Sequence, residues 1–169
     1  RKIGVILATR ENAAKALSSG GVVLVFPGGD YDSYRSTFEQ NTIDFNGRKG
    51  YVRTAIEADV PIVPAVSIGG QETQLFLGRG TRIAKRLGLP KIRTDILPLG
   101  IGFPFGVTST IPANFPLPSK IVHEVLEPIH VVDQFGPNPD VDEVDAHVRA
   151  VMQSALDRLA EQRRFPVIG

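Results

Sequence analysis

The chain has 169 residues, of which 42% are hydrophobic, so it can form one substantial core and is most simply a single domain. Its 19 basic and 18 acidic residues give a formal net charge of +1, which offers nucleic acid no overall attraction. The lack of cysteine excludes disulfides, thiolate metal sites and a cysteine nucleophile. No apolar run approaches the roughly 18 residues of a membrane-spanning helix. Because the sequence enters an apolar segment directly after Arg1 and Lys2, we expect this domain to lack an upstream part.

In chain order, the first part of the sequence predicts strands that alternate with helices. The predicted elements are a strand at 4–7, a helix at 12–17, a strand at 22–26, a helix at 47–58 and a strand at 62–66. The run at 22–26 is short, uniformly apolar and rich in β-branched residues, which is typical of a strand covered on both faces. This alternation predicts an α/β fold with a mostly parallel sheet flanked by helices.

Pro27, Gly28 and Gly29 end the strand at 22–26 and open a polar loop. Glycine lets a backbone approach a ligand closely, and ligands of open α/β sheets bind beyond the carboxyl ends of strands. The turn is therefore a candidate binding site, although the same residues would also serve as an ordinary turn without a ligand.

The second part of the chain carries a basic segment followed by an apolar one. A helix near 79–87 would place four basic side chains on one face, and residues 96–107 are apolar with interspersed proline and glycine. These features predict contact with an anionic membrane surface, and a solvated basic face beside a self-packed loop is the alternative. A strand at 120–126 and a helix at 140–164, whose apolar stripe indicates core packing, complete the chain. The predicted membrane-contact residues are Arg79, Arg82, Lys85 and Arg86.

Three blocks of the sequence resemble, in order, the second, third and fourth motifs of the glycerolipid acyltransferases. They are residues 4–10 (GVILATR), 26–29 (FPGG) and 60–64 (VPIVP). Gly28 stands where that family usually has a glutamate, and the Pro-Gly-Gly form is similar to the diacylglycerol acyltransferase branch. The resemblance implies transfer of a fatty acyl group from acyl-CoA or acyl carrier protein to the hydroxyl of a glycerolipid or lysophospholipid. It implies no metal and no cofactor beyond acyl-CoA as co-substrate, and a peripheral location on the cytoplasmic side of a membrane.

The resemblance also implies roles for individual residues. Arg10 would hold the phosphate or head group of the acceptor, for which a guanidinium is well suited. The two glycines would let backbone amides approach the acceptor or the reacting carbonyl. The substrate-binding residues expected on this basis are Arg10, Phe26, Pro27, Gly28, Gly29, Asp30 and Arg35, with Arg48 and Lys49 as weaker candidates.

The first motif of that family, a histidine followed five positions later by an aspartate, has no counterpart in this chain. Acyl transfer to a hydroxyl needs a base to take the proton and an aspartate to orient the resulting imidazolium. The chain has three histidines, and none of them has an aspartate five positions later. We therefore expect no catalytic residue within the chain, and a histidine–aspartate pair in sequence that precedes Arg1. The histidines are His123, His130 and His147.

Two other functions remain open at this point. The first is a non-catalytic module that binds membrane lipid in the same pocket without reaction. The second is a phosphate- or nucleotide-binding α/β domain that uses the Pro-Gly-Gly turn, although neither G-x-x-x-x-G-K-[ST] nor G-x-G-x-x-G occurs in the sequence.

Overall fold

A computed structural model describes residues 4–88, 96–109 and 113–165, with the side chain of Asp30 also outside the described part. The helices are α1 (Arg10–Ser18), α2 (Gly29–Ser33), α3 (Gly50–Ala58), α4 (Thr81–Arg86), α5 (Val131–Phe135) and α6 (Val141–Gln162), with 3₁₀ turns at Thr37–Glu39 and Gln71–Thr73. The strands are β1 (Ala65–Ile68), β2 (Leu75–Gly78), β3 (Leu99–Gly102), β4 (Gly106–Thr108) and β5 (Val122–Val125).

The described strands form two small antiparallel sheets. Strand β1 pairs with β5, with Ala65 opposite Val125, and an isolated bridge between Ile62 and Ile129 extends this pairing. The second sheet has the order β2-β3-β4. The predicted mostly parallel sheet is therefore wrong for the described residues. Apolar periodicity locates a strand, but it does not specify which partner the strand meets or in which direction.

The two earliest predicted strands, at 4–7 and 22–26, do not form ladders in the described part of the chain. Their side chains are largely exposed, with Val22 at 98% and Leu24 at 75% of full exposure. A uniformly apolar run predicts cover on both faces, and no described residues provide that cover. These predicted strands are thus corrected to largely exposed segments without regular secondary structure on either side of α1.

The core lies where α3 and α5 pack against α6. Val52, Val144 and Val148 are the largest fully buried side chains, and Ile129 and Val131 complete the cluster. The predicted carboxyl-terminal helix and its apolar stripe are confirmed as α6. This arrangement fixes α3, and therefore the loop that leads into it, relative to the longest helix.

A buried polar contact accompanies this core. The Tyr51 hydroxyl of α3 donates a hydrogen bond to Oδ1 of Asp145 on α6 over 2.9 Å, and the second carboxylate oxygen of Asp145 accepts one from Nε of Arg149. Burial, followed by the hydrogen bond to Asp145, raises the pKa of Tyr51 far above its usual value. Asp145 is only 2% exposed, and each of its carboxylate oxygens accepts a hydrogen bond. The contact therefore fixes the position of α3 relative to α6.

Candidate functional site

The Pro-Gly-Gly turn is closed by packing that only glycine allows. The amide of Gly29 donates to the Phe26 carbonyl over 3.1 Å, and α2 then begins at Gly29 with a φ of +53°. Gly28 is buried, and a Cβ built on it would lie 2.3 Å from Cβ of Asp32. Real Cβ atoms do not approach so closely, so α2 can fold back onto the turn only if residue 28 has no side chain.

Arg48 also closes this turn, through contacts with its backbone carbonyls. Its Nη1 donates to the Gly28 carbonyl over 2.9 Å and lies 3.5 Å from the carbonyl oxygen of Pro27. A positive charge therefore stands directly beside the turn. The sequence offered Arg48 only as a weak candidate, because nothing local indicates a contact between residues 20 positions apart.

Arg35 lies inside the polar loop. It is 2% exposed, its Nη2 donates to Oδ1 of Asp32 over 2.6 Å, and its Nη1 donates to the Thr42 carbonyl. Burial raises the pKa of Asp32 above its usual value, against the opposing charge of Arg35. In this structure the guanidinium fixes the loop from within, and its contact with substrate remains a prediction.

The loop is attached to two distant elements. The Thr37 hydroxyl accepts from the Phe76 amide over 2.9 Å, which ties the loop to β2. The Gln153 side chain on α6 accepts from the Ile43 amide over 2.8 Å and donates to the Asn41 carbonyl over 3.0 Å. Because the loop is anchored at both sides, the turn at its start is held in a defined position.

Arg10 and Phe26 stand on the exposed side of this region. Arg10 is the first residue of α1, and its Nη1 lies 3.9 Å from Oε1 of Glu57 on α3. Phe26 is 77% exposed. In the described part of the chain, no hydrogen bond or ion pair joins Arg10 to the turn, so its role as an acceptor ligand remains a prediction.

The structure separates Arg79 from the other predicted membrane-contact residues. Helix α4 begins at Thr81, so Arg79 precedes the helix on which it was expected. Its Nε donates to the Tyr31 carbonyl over 2.9 Å and its guanidinium lies 3.8 Å from the centre of the Tyr31 ring. Arg79 therefore supports the polar loop. The other three, namely Arg82, Lys85 and Arg86, lie exposed on α4.

The three histidines stand on other elements. His123 lies on β5 opposite Ser67, and the ring of His147 packs edge-on against Phe135 at 5.4 Å. His130 immediately precedes α5. Within the described ranges, none of them is hydrogen bonded to a carboxylate, and no cluster of side chains could hold a metal ion. The described part of the chain also has no helix that is long and apolar enough to cross a bilayer.

Comparison with known proteins identifies the family. The sequence profile described as Acyltransferase matches residues 1–68, which contain all three motif-like blocks. A mouse protein named "DGAT1/2-independent enzyme synthesizing storage lipids" is 33% identical over 117 residues, which are 69% of this chain and 35% of that protein. These matches support membership of a glycerolipid acyltransferase family.

Further relatives extend the similarity over the whole chain. An uncharacterized protein of Mycobacterium tuberculosis is 33% identical over 175 residues, covering 100% of this chain and 46% of that protein. The chicken protein with the same name as the mouse relative is 28% identical over 156 residues, covering 92% of this chain and 41% of that protein. The chain thus spans less than half the length of these relatives. No solved structure is significantly similar to it.

Proposed function

We propose that this protein transfers a fatty acyl group from acyl-CoA or acyl carrier protein to a hydroxyl of a glycerolipid or lysophospholipid. The observation that carries the proposal is the closely packed Pro-Gly-Gly turn, closed by Arg48, inside the region that matches the family profile. Family membership supports acyl transfer in general, and the choice of donor and acceptor is our inference.

The reaction places two demands on the site. The acceptor oxygen attacks the thioester carbonyl carbon, so negative charge develops on the carbonyl oxygen before the carbon–sulfur bond breaks and the thiolate leaves. The positive charge of Arg48 beside the turn would stabilise that oxyanion or bind an acceptor phosphate. Arg10 would bind the acceptor head group from α1, and the compact glycines would let substrate approach the backbone.

A base must also take the proton of the acceptor hydroxyl. None of the chain's histidines is oriented by a carboxylate in the described structure, although His130 and His123 are exposed. The proposal therefore assigns the base to a histidine–aspartate pair outside residues 1–169. The alternative is a non-catalytic module that binds lipid without turnover. It is favoured by the same observation, that no histidine in the described structure is oriented by a carboxylate.

Membrane contact is part of this proposal because the acceptor lipid resides in a bilayer. The exposed side chains of Arg82, Lys85 and Arg86 would each contribute about 1 kcal/mol at an anionic surface. The β3–β4 hairpin presents Phe103 and Phe105, which are 73% and 55% exposed. We infer peripheral binding to the cytoplasmic side of a membrane. Sedimentation with anionic liposomes should fall as salt rises, and a failure to sediment at any salt concentration would contradict it.

The decisive experiment measures thiol release from palmitoyl-CoA with a thiol reagent, to which a chain without cysteine adds no background. It compares the chain alone with the chain extended at its amino end by the corresponding segment of the Mycobacterium tuberculosis relative. We expect acceptor-dependent release only from the extended protein. Release by the chain alone would overturn the assignment of the base and direct attention to His123 and His130, and silence from both would favour the lipid-binding module.

Two matched variants of the extended protein test the role of the turn. Arg48→Gln removes a charge that contacts the Gly28 carbonyl, and should lower kcat/KM about 10- to 100-fold. Arg53→Gln removes an exposed charge from the neighbouring helix α3, and should leave kcat/KM nearly unchanged. Equal effects of the two substitutions would show that Arg48 acts only through the general charge of this surface.

A further inference from the structure

A groove lies along the β2-β3-β4 sheet, on the side where the polar loop is attached. Its cavity volume is about 230 Å³. Its apolar lining comes from the sheet and from residues 113–117. The large apolar side chains concerned are Leu75, Phe76, Ile101, Phe115 and Leu117. None of the three motif-like blocks contributes to this lining. Apart from Tyr34, all of the lining residues lie between positions 73 and 117.

Among the described residues, no charged side chain lines the groove. The polar groups at its edges are hydroxyls and amides, such as Thr108 and Asn114, and all are neutral. Between Asp95 and Glu124 the sequence has one formally charged residue, Lys120, which does not line the groove. A phosphate or carboxylate group would find no counter-charge among these residues. The hydrocarbon chain of a ligand would bind favourably, because its entry releases water from its own surface and from the apolar lining.

Glycine keeps the floor of the groove open. Gly100 lies in the central strand β3, and a Cβ built on it would have the nearest ring carbon of Phe76 at 3.7 Å. The backbone of Gly100 does not have the positive φ that would require glycine. A glycine inside a strand sacrifices side-chain packing, so the structure uses this position to provide space.

The groove begins beside the candidate site. Tyr34 directly follows α2, which the Pro-Gly-Gly turn begins, and the Tyr34 ring packs edge-on against Phe76 with centroids 5.6 Å apart. Tyr34 therefore belongs both to the polar loop that follows the turn and to the wall of the groove. We propose that this groove binds a fatty-acyl chain of a substrate of the transfer reaction. This inference rests on the proposed function and assigns the fatty-acyl chain of the substrate to a site on the β2-β3-β4 sheet.

A binding titration tests the inference without requiring turnover. The probe is cis-parinaric acid, a fluorescent fatty acid, titrated into the chain itself. Gly100→Leu fills the groove from its floor, and displacing even two buried methylenes should weaken binding about tenfold. Gly78→Leu is the matched control, because Gly78 lies in the adjacent strand, has no atom within 4 Å of a built Cβ, and does not line the groove. Its affinity should equal that of the unmodified chain.

Competition with cis-parinaric acid shows which substrate supplies the fatty-acyl chain. Displacement of the probe by palmitoyl-CoA and not by CoA assigns the groove to the acyl donor, and displacement by monoacylglycerol or diacylglycerol assigns it to the acceptor. Either result supports a fatty-acyl site. Failure of the unmodified chain to bind the probe, or equal affinity of the Gly100→Leu protein, overturns the proposal. Loss of transfer activity with retained binding would instead concern the proposed function.

A reporter residue keeps the test decisive if Gly100→Leu does not fold. The protein has no tryptophan, so Phe115→Trp places a single emitter in the groove wall. Phe135→Trp places one beside His147, away from the groove lining. A brominated palmitate should quench the first tryptophan and leave the second unchanged. Equal quenching of both, or no quenching, would refute binding in the groove.

Discussion

Substituting Gly28 with alanine tests whether the turn is held by direct packing against α2. The added Cβ would lie 2.3 Å from Cβ of Asp32 and 3.2 Å from the carbonyl oxygen of Asp44. To reach the ordinary contact distance of 3.4 Å, the two Cβ atoms must separate by about 1 Å. Forced separations of this kind in packed sites cost about 1 to 3 kcal/mol. For a chain of this length each kcal/mol lowers Tm by about 2 to 4 °C.

Thermal unfolding followed by far-UV circular dichroism measures this cost, with Gly50→Ala as the matched control. Gly50 has no atom within 4 Å of a built Cβ and no positive φ, so its substitution should cause no comparable loss. The nearest obstructing atom is Cβ of Asp32. Because Asp32 also pairs with Arg35, each double variant is compared with its own Asp32 single variant. On that scale the cost of Gly28→Ala should be unchanged in the Asp32→Ala protein and largely absent in the Asp32→Gly protein. A Gly28→Ala protein as stable as the unmodified chain, or rescue by Asp32→Ala, would refute the packing argument.

Three further predictions concern stability. Nη2 of Arg163 donates to Oε2 of Glu72, and the two side chains are only 8% and 14% exposed. Glu72→Ala should therefore cost about 3 kcal/mol in urea unfolding. Glu124→Ala breaks the more exposed ion pair with Arg158 and should cost less than about 1 kcal/mol; equal costs would contradict the role of burial. Tyr51→Phe should cost about 1.5 to 3 kcal/mol in the same assay because a buried hydrogen bond to a carboxylate is lost, and an unchanged midpoint would count against that bond. Burial raises the pKa of Asp32 above its usual value of 3.8. The stability that this pKa shift contributes is therefore present below pH 3.8 and is lost as the pH rises through the raised pKa. Asp32→Asn should abolish this part of the pH dependence of unfolding, and an unaltered pH profile would refute it.

Four of the six described helices, α1, α3, α4 and α6, were predictable because their signals are local, whereas the short helices α2 and α5 were not predicted. The apolar stripe around Val144 and Val148 and the acids that begin α6 determine that helix without reference to any other element. Helices α1 and α3 follow from the same kind of signal, namely short amphipathic runs bounded by glycine or by Asp59 and Val60. The family motifs were also visible, because each is a short contiguous block.

The sheet and the roles of charged loop residues were not predictable from the sequence. Val22 and Leu24 have the pattern of a buried strand, but strand formation depends on partners that periodicity does not reveal. Arg35 and Arg48 occur in one loop and its exit, yet one is buried and pairs with Asp32, while the other contacts the turn. Such differences arise from contacts between residues far apart in the chain.

The most direct test of the central claim is identification of the product. The extended protein is incubated with palmitoyl-CoA labelled with ¹³C in the acyl chain and with lysophosphatidic acid, monoacylglycerol or diacylglycerol, and the lipids are analysed by mass spectrometry. Our account predicts a labelled glycerolipid ester whose formation requires the acceptor and is about 10- to 100-fold slower in the Arg48→Gln protein. Labelled free fatty acid without ester would show that the protein is a hydrolase, and would contradict the account.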